Sequence, residues 1–349
     1  GSWRKVDLLG NIILNSSLRV KPTNTEYTIE NGDISFTKNG IYFNNVELKD
    51  RKGNKGMLSG VIGHRNFANW TCALLINAYD LMVYDTYGFE KDPFYGTVYG
   101  EGFGRIDYTL ENGFNLYAEL KSKPGSSFVY NSTSASGARD NSFVTFVDNS
   151  KKKPQGTDNS RKKSGNYKTV NSKLNLEFIL DVTEDLHVKV FTNLNTQDYI
   201  DFYGAGKVNA IYDEKNGFSM HGTLGLDRGT YKFTIQDIFP KDFAIDRGSR
   251  LLFDGNPFNA GLELTTRLRL PSVPLVDLSP ETSKKTTAKV DCVMNIGGTL
   301  TKPQLVFDIE LPESNEEERD LLASVTSTQE QKNTQFIYLL GLGKFYTYD

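Results

Sequence analysis

The chain has 349 residues, of which 38% are hydrophobic and 12% are aromatic. This composition excludes a wholly disordered protein, because it supplies enough apolar surface for a large core. The 40 basic and 43 acidic residues leave a net charge of −3. Such a small charge excludes recruitment to nucleic acid or to a membrane by bulk electrostatics. The sequence contains no continuous apolar run of roughly eighteen residues, so it offers no candidate transmembrane helix.

The chain begins with Gly1-Ser2 and lacks an initiator Met. This start is typical of a cloning remnant, so the missing targeting segment says little about the native protein. We expect the chain to be a piece of a longer protein.

Short segments with alternating apolar residues, separated by turn residues, recur from the start of the chain. Turn signals such as Lys38-Asn39-Gly40 and Glu111-Asn112-Gly113 lie between them, a pattern typical of antiparallel hairpins. The segments of this kind, which we predict to be strands, are 32–37, 41–48, 57–64, 104–110 and 114–120.

The motif Gly100-Glu101-Gly102-Phe103-Gly104 is rich in glycine but precedes a predicted strand. A phosphate-binding loop would need a helix N-terminus after it. We therefore predict a bulge or a tight turn at this motif.

Residues 148–168 interrupt the strand pattern with a polar, basic stretch that includes Lys151–Lys153 and Arg161–Lys163. A nucleic-acid or lipid-headgroup patch is one interpretation, but Tyr167 is its single aromatic residue. We predict a solvated, mobile surface loop.

The alternation resumes in the second half and is clearest in residues 261–270. Leu262, Leu264, Leu268 and Leu270 share one face of this predicted strand, and Thr266 interrupts that face. Glu263, Thr265, Arg267 and Arg269 share the other face, since successive strand side chains point to opposite sides. Further predicted strands cover 174–182, 186–191, 290–296 and 305–311.

A weak internal repeat links the two halves. Asn112-Gly113-Phe114 and Leu116 recur at a constant offset as Asn216-Gly217-Phe218 and Met220. Two similar β-meanders indicate a stacked, elongated sheet, although chance similarity at turn residues is the other interpretation.

Helices are predicted only near the end of the chain. Ser314 and Glu317 have the spacing of a capping box, and a second helix is predicted over 329–340, ending at Gly341. The following tail keeps the apolar character of the second helix.

Candidate catalytic and metal-binding residues are sparse. The three histidines, His64, His187 and His221, lie at no metal-ligand spacing. Glycoside hydrolysis needs two carboxylates held together in a cleft. The candidates for this chemistry are Asp80, Asp85, Glu90 and Asp92. Cys72 and Cys292 are either buried thiols, which we favour, or one disulfide in an oxidising compartment. We therefore expect no enzyme, no metal and no cofactor.

Several dispersed motifs resemble the C-terminal domain of the TamB family, the translocation and assembly module proteins, in their Bacteroides-type form. They include Phe94-Tyr95-Gly96 with Glu101-Gly102, Gly229-Thr230-Tyr231 with Phe233, Phe243 with Gly248-Ser249, Gly298 with Pro303 through Pro312, and Tyr338-Leu339-Leu340 with Gly343-Lys344-Phe345. Their order and spacing cover most of the chain.

The resemblance implies a mostly β fold: an elongated, curved, taco-like or β-helix-like sheet with an apolar groove and short C-terminal helices. The implied organisation is a sheet over 1–147, a flexible loop over 148–168, further sheet over 169–312 and a helical, apolar tail over 313–349. The family is similar to the AsmA and bridge-like lipid-transfer proteins, so the implied location is the periplasm, with an inner-membrane anchor outside this chain.

The expected function is non-enzymatic: conveying phospholipid between the membranes, assisting outer-membrane protein assembly and secretion, or both. The implied partners are phospholipid acyl chains or nascent outer-membrane strands, and a TamA/BamA-like barrel. A structural or adhesive β-sandwich and a carbohydrate-active β-protein are the alternatives.

Apolar positions of the strands are predicted to line the groove, and apolar positions of the tail are predicted to dock a barrel partner. The groove residues are Leu174, Leu176, Phe178, Leu180, Phe233, Ile235, Leu262, Leu264, Leu268 and Leu270, and the docking residues are Phe336, Leu339, Leu340 and Phe345. Leu264→Arg is expected to abolish lipid binding without unfolding, because an open groove tolerates a snorkelling charge.

Overall fold

A computed structural model describes residues 9–20, 23–65, 68–87, 94–131, 173–235, 239–278 and 287–347. These residues form one sheet of seventeen strands and two α-helices. The strands are β1 Gly10–Val20, β2 Thr25–Thr37, β3 Gly40–Lys49, β4 Lys55–Arg65, β5 Ala68–Thr86, β6 Phe94–Thr109, β7 Gly113–Ser122, β8 Ser127–Asn131, β9 Leu174–Val182, β10 His187–Asn193, β11 Asp198–Asp213, β12 Gly217–Ile235, β13 Phe239–Ile245, β14 Arg250–Gly255, β15 Gly261–Pro274, β16 Thr287–Thr299 and β17 Lys302–Glu310. The helices are α1 Glu316–Val325 and α2 Gln329–Leu342, and Pro257–Asn259 forms a single 3-10 turn.

Most neighbours in the sheet follow one another in the sequence, and the other pairs join strands that are two apart, such as β6 with β8 and β12 with β14. Almost all pairs are antiparallel, as expected for hairpin connections. The exceptions are β7 with β9 and β8 with β10, which pair in parallel. Among the described strands, β1 pairs with β2 alone and β17 pairs with β16 alone. The two end strands do not pair with each other, so the sheet is open.

Three long strands are interrupted near their middles. The interrupted strands are β7 with β8, β9 with β10, and β13 with β14. The two parts of each pair along one uninterrupted neighbour, which is β6, β11 or β12, respectively. Each of these pairs of strands is therefore one long strand with a break.

Buried hydroxyl groups satisfy the backbone at the three breaks. The Ser126 Oγ accepts a hydrogen bond from Tyr99 N at 2.9 Å, and the Ser122 Oγ accepts one from Thr183 N at 2.8 Å. The Ser249 Oγ accepts one from Thr265 N at 3.1 Å. These side chains replace ladder bonds that the breaks remove, as buried polar groups require.

The sheet folds over on itself. Successive cross-strand pairs from β12 back to β6 place Phe218 in the same row as Ile106. Ile106 is twelve residues from Phe94 along β6. In a straight strand twelve residues span about 40 Å, yet the Phe94 and Phe218 ring centroids are 6.2 Å apart. The two halves of the long strands therefore form the facing arms of a U, and the expected curved, groove-forming β fold is confirmed.

Two buried apolar clusters lie inside the fold. The larger one contains residues of β8 through β17 together with α1, α2 and the tail after α2. The smaller one is formed by β2 to β5 and includes Tyr27, Val46, Leu48 and Leu81. The interior is thus filled most completely at its C-terminal end.

Both helices begin at capping boxes. In α1 the N-cap is Asn315 and its partner is Glu318, one residue later than the predicted Ser314 and Glu317. The Ser314 Oγ instead donates to the Leu311 carbonyl at 2.8 Å. Helix α2 continues through the predicted stop at Gly341 and ends at Leu342, and its C-cap is Gly343, whose φ of 67° fits glycine best.

The glycine-rich motif at 100–104 lies within β6. The φ of Gly102 is +146°, and a Cβ there would lie 2.0 Å from the Glu119 carbonyl oxygen. The neighbouring strand β5 shifts register between Ala78 and Leu81. The predicted bulge is therefore on the partner strand, and glycine in β6 permits the close backbone approach.

Candidate functional site

The strands place the ten predicted groove residues on a single face of the sheet, which we call the inner face. Residues paired across neighbouring strands point to the same face. A chain of such pairs links β9 to β15: Val182 with Gly206, Gly206 with Leu224, Leu224 with Leu251, and Leu251 with Leu262. The apolar positions therefore form one continuous surface.

Part of the inner face is a closed core. Leu262 and Leu264 are 4% and 3% exposed and belong to the larger cluster. Leu174 and Ile235 are also buried, and Phe233, Leu268 and Leu270 pack against this cluster. Thr266, the apparent interruption, is fully buried and donates its hydroxyl to the Met294 carbonyl at 3.1 Å.

This burial changes the expectation for Leu264→Arg. A guanidinium at Leu264 would lie in a filled interior without a partner, and an unpaired buried charge is strongly destabilising. The burial of Leu264 therefore favours destabilisation by this substitution over the expected tolerance, because the position is enclosed by protein.

Another part of the inner face is not filled. Six large apolar side chains on β6, β7 and β9 are only half-buried, and neither buried cluster includes them. We call these residues the uncovered strip: Ile106, Leu116, Leu120, Leu176, Phe178 and Leu180.

The opposite face of the same strands carries their charged side chains. Glu119 and Lys121 on β7 and Asn175 on β9 are exposed, and Asn175 Nδ2 donates to Asn115 Oδ1 at 2.8 Å. This distribution makes the strip the more apolar surface of these strands.

Aromatic rings connect the free ends of the two arms, and we call them the aromatic bridge: Phe94, Tyr130, Phe218 and Phe258. Phe94 stacks on Tyr130 at 4.9 Å and meets Phe218 edge-on, while Tyr130 lies 5.7 Å from Phe258. These separations are typical of favourable aromatic pairs.

Partial signals for these residues are present in the sequence. Leu116 and Phe218 belong to the internal repeat and Phe94 to a family motif, but Tyr130 carries no pattern of its own. Contacts between the arms depend on the fold, so alternation along single strands does not reveal the bridge.

The four predicted docking residues are buried. Phe336, Leu339, Leu340 and Phe345 are at most 2% exposed, and the Phe336 ring stacks between those of Phe243 and Phe307. In this arrangement they close the C-terminal end of the fold, so they are not available to dock a partner directly.

The candidate carboxylates that lie in the described part of the chain are held in ion pairs. Asp85 is buried in an ion pair with Arg51 at 2.7 Å and accepts hydrogen bonds from Tyr87 and Thr97. Asp80 pairs with Lys123 at 3.0 Å. The described residues contain no cluster of three or more potential metal ligands, and Glu90 and Asp92 lie outside them.

The two cysteines are free thiols rather than a disulfide. Burial raises the pKa of Cys292 to about 12, so this thiol remains protonated and unreactive at neutral pH. Residues 148–168, predicted to be a basic loop, lie outside the described part of the chain.

No helix among the described residues has the length and apolar character needed to cross a membrane.

The family model described as the TamB C-terminal domain matches residues 44–348. No curated protein matches the chain. Members of this family are periplasmic proteins linked to the outer membrane, act in its assembly and transport, and work with TamA-type outer-membrane proteins. The family is generally not an enzyme family. With more than four fifths of its length matched and its sheet folded into an apolar groove, the chain belongs to the TamB C-terminal domain family.

Proposed function

We propose that the inner face carries phospholipid acyl chains, and that this chain forms part of a non-enzymatic route between the two membranes. The observation that supports this most directly is the uncovered strip. Its six side chains are apolar, only half-buried and continuous with the filled interior. Large apolar surfaces left without protein cover are typical of binding sites for apolar partners.

The energetics favour an acyl chain as the occupant. Removing one chain of roughly sixteen methylenes from water is worth about 13 kcal/mol, at about 0.8 kcal/mol for each methylene. The inner face of β7 and β9 carries no charged side chain, because Glu119, Lys121 and Asp181 point to the other face. A lipid moving across this surface would therefore meet no large electrostatic barrier.

Mass spectrometry of lipids extracted from the purified chain tests the proposal. Protein expressed in the periplasm of a Gram-negative host is compared with Phe178→Arg, which places a charge on the strip. We expect co-purified phospholipid in the unsubstituted chain and at least a tenfold loss in the variant.

Ile179→Arg supplies the matched control. Ile179 is the next residue of β9, is also half-buried and points to the outer face. We expect it to retain lipid. Absence of lipid from the unsubstituted chain, or equal losses in both variants, would contradict the proposal.

Assistance to outer-membrane protein assembly, together with a TamA/BamA-like barrel, is a second proposal. A nascent strand with alternating apolar residues presents one apolar face, which can pack against the strip. Photo-crosslinking from residue 178 distinguishes the cargoes, because a trapped peptide adds protein mass and a trapped lipid adds one lipid mass.

A further inference from the structure

The interior of the fold contains one buried tyrosine whose hydroxyl group is unsatisfied among the described residues. Tyr130 is 5% exposed, and its hydroxyl oxygen is shielded from solvent without a hydrogen-bond partner in the described part of the chain. Thr192, Thr196 and Asn209 also carry unsatisfied buried atoms, but these residues are themselves only half-buried. Buried polar atoms are normally hydrogen-bonded, so Tyr130 requires an explanation.

Tyr27 in the smaller cluster provides a direct comparison. It is 6% exposed, and its hydroxyl donates to the Met82 carbonyl at 2.7 Å. Two tyrosines of nearly equal burial thus differ in whether the protein itself supplies an acceptor.

The Tyr130 ring lies close to the proposed lipid route. It stacks on Phe94, and Phe94 contacts Phe218. Phe218 pairs with Tyr212, which pairs with Leu176 of the uncovered strip. The unsatisfied hydroxyl is therefore part of the aromatic bridge where the strip meets the filled interior.

The chemistry of the group defines its ligand. Burial raises the pKa of Tyr130 well above its usual range, so the hydroxyl stays protonated and acts as a donor. Among groups attached directly to an acyl chain, the ester carbonyl oxygen is a strong acceptor, and an ether-linked chain lacks it.

We propose that the rings of the aromatic bridge part when a lipid binds, and that the Tyr130 hydroxyl, which is shielded in the free chain, then donates a hydrogen bond to the ester carbonyl of the bound acyl chain and thereby selects ester-linked lipids. This inference rests on the proposed lipid-carrying function. It adds a position at which the polar end of the chain is held, with the tail on the uncovered strip.

Binding of two synthetic phosphatidylcholines that differ only in ester or ether linkage tests the inference. Delipidated full chain is incubated with vesicles that contain equal amounts of both lipids, and the bound fraction is measured by mass spectrometry. We expect a three- to tenfold preference for the ester lipid in the unsubstituted chain, as for one net hydrogen bond, and no preference in Tyr130→Phe.

Thermal unfolding of the lipid-free proteins supplies a second readout. Tyr130→Phe removes an unsatisfied group, so its midpoint should equal or exceed that of the unsubstituted chain by about 1–3 °C. Tyr27→Phe removes a satisfied group, so its midpoint should fall while the ester preference remains.

The outcomes separate the two proposals. Lipid binding with no ester preference, or with the same preference in Tyr130→Phe, overturns the role of Tyr130 and leaves the lipid route intact. A lower midpoint for Tyr130→Phe identifies an acceptor within the protein and also overturns it. Failure of either lipid to bind overturns the proposed function, and this inference with it.

Discussion

Phe336 of α2 stacks on Phe307 of β17 with ring centroids 4.2 Å apart, and the other side of the Phe336 ring faces Phe243 at 6.2 Å. A C-terminal helix thus joins two strands that belong to different parts of the sheet. The tail that looks exposed and adhesive in the sequence is a structural closure in the folded chain.

Phe336→Ala should therefore lower the free energy of unfolding by about 3–5 kcal/mol, because it leaves a cavity between two aromatic rings. Urea denaturation followed by circular dichroism measures the change. Leu342→Ala, on the same helix but 64% exposed, should change it by less than about 0.5 kcal/mol. A small effect of both would show that α2 is not part of the cooperative fold.

The contrast between filled and unfilled parts of the inner face predicts opposite responses to the same substitution. Leu264→Arg buries an unpaired charge and should unfold the chain or cost more than about 3 kcal/mol. Phe178→Arg lies on the uncovered strip, so its charge can reach water and the cost should stay below about 2 kcal/mol. Denaturation curves of the two variants, measured without lipid, decide the point. Similar destabilisation would mean that both positions are equally enclosed.

The backbone at Gly102 predicts a strict requirement for glycine. An alanine Cβ there would meet the Glu119 carbonyl at 2.0 Å with φ at +146°, so Gly102→Ala should cost at least about 1–3 kcal/mol. Gly104→Ala is the control on the same strand, because its nearest neighbour would be 3.8 Å away and alanine suits a strand interior better than glycine. Equal thermal midpoints for the two variants would contradict the tight approach of β6 to β7.

An ion cluster on the outer face of β15 and β16 predicts acid sensitivity. Arg269, with Arg267 adding to it, lowers the pKa of Asp291, and Asp291 accepts two hydrogen bonds of 2.7 Å from Arg269. A carboxyl whose pKa is lower in the folded chain stabilises the fold above its unfolded pKa near 3.8 and loses that contribution as the pH falls further.

Asp291→Asn should therefore cost about 2–3 kcal/mol at pH 7 and progressively less below about pH 4. Urea denaturation at pH 7 and at pH 3 measures both effects. Glu263→Gln, which weakens the exposed pair with Arg250, should change stability by less than about 0.5 kcal/mol at either pH. A pH-independent cost for Asp291→Asn would rule out the linkage.

Local elements of this fold follow directly from the sequence. Strand β9 has the predicted bounds of residues 174 and 182, and β15 begins at the predicted Gly261, because alternation and flanking turn residues act over a few neighbours. The capping box of α1 is displaced by one residue, since Ser314, Asn315, Glu317 and Glu318 provide two overlapping patterns of the same kind.

Relations between distant elements did not follow from the sequence. Alternation shows that Leu176 and Leu264 each have an apolar environment on one side, but not that protein covers Leu264 while leaving Leu176 partly bare. The difference arises from the folding of the two arms and from the packing of α2, which are contacts between residues far apart in the chain.

Sequential strand order has an evolutionary consequence. Because each strand forms its backbone hydrogen bonds with the strands beside it, duplicating a hairpin lengthens the inner face by about 10 Å without altering its cross-section. The similarity between the starts of β7 and β12, where Gly113 and Gly217 adopt φ values of 72° and 77°, is what such a duplication would leave behind. The reach of a protein built this way is then set by the number of hairpins, and its capacity for cargo by the width of the U.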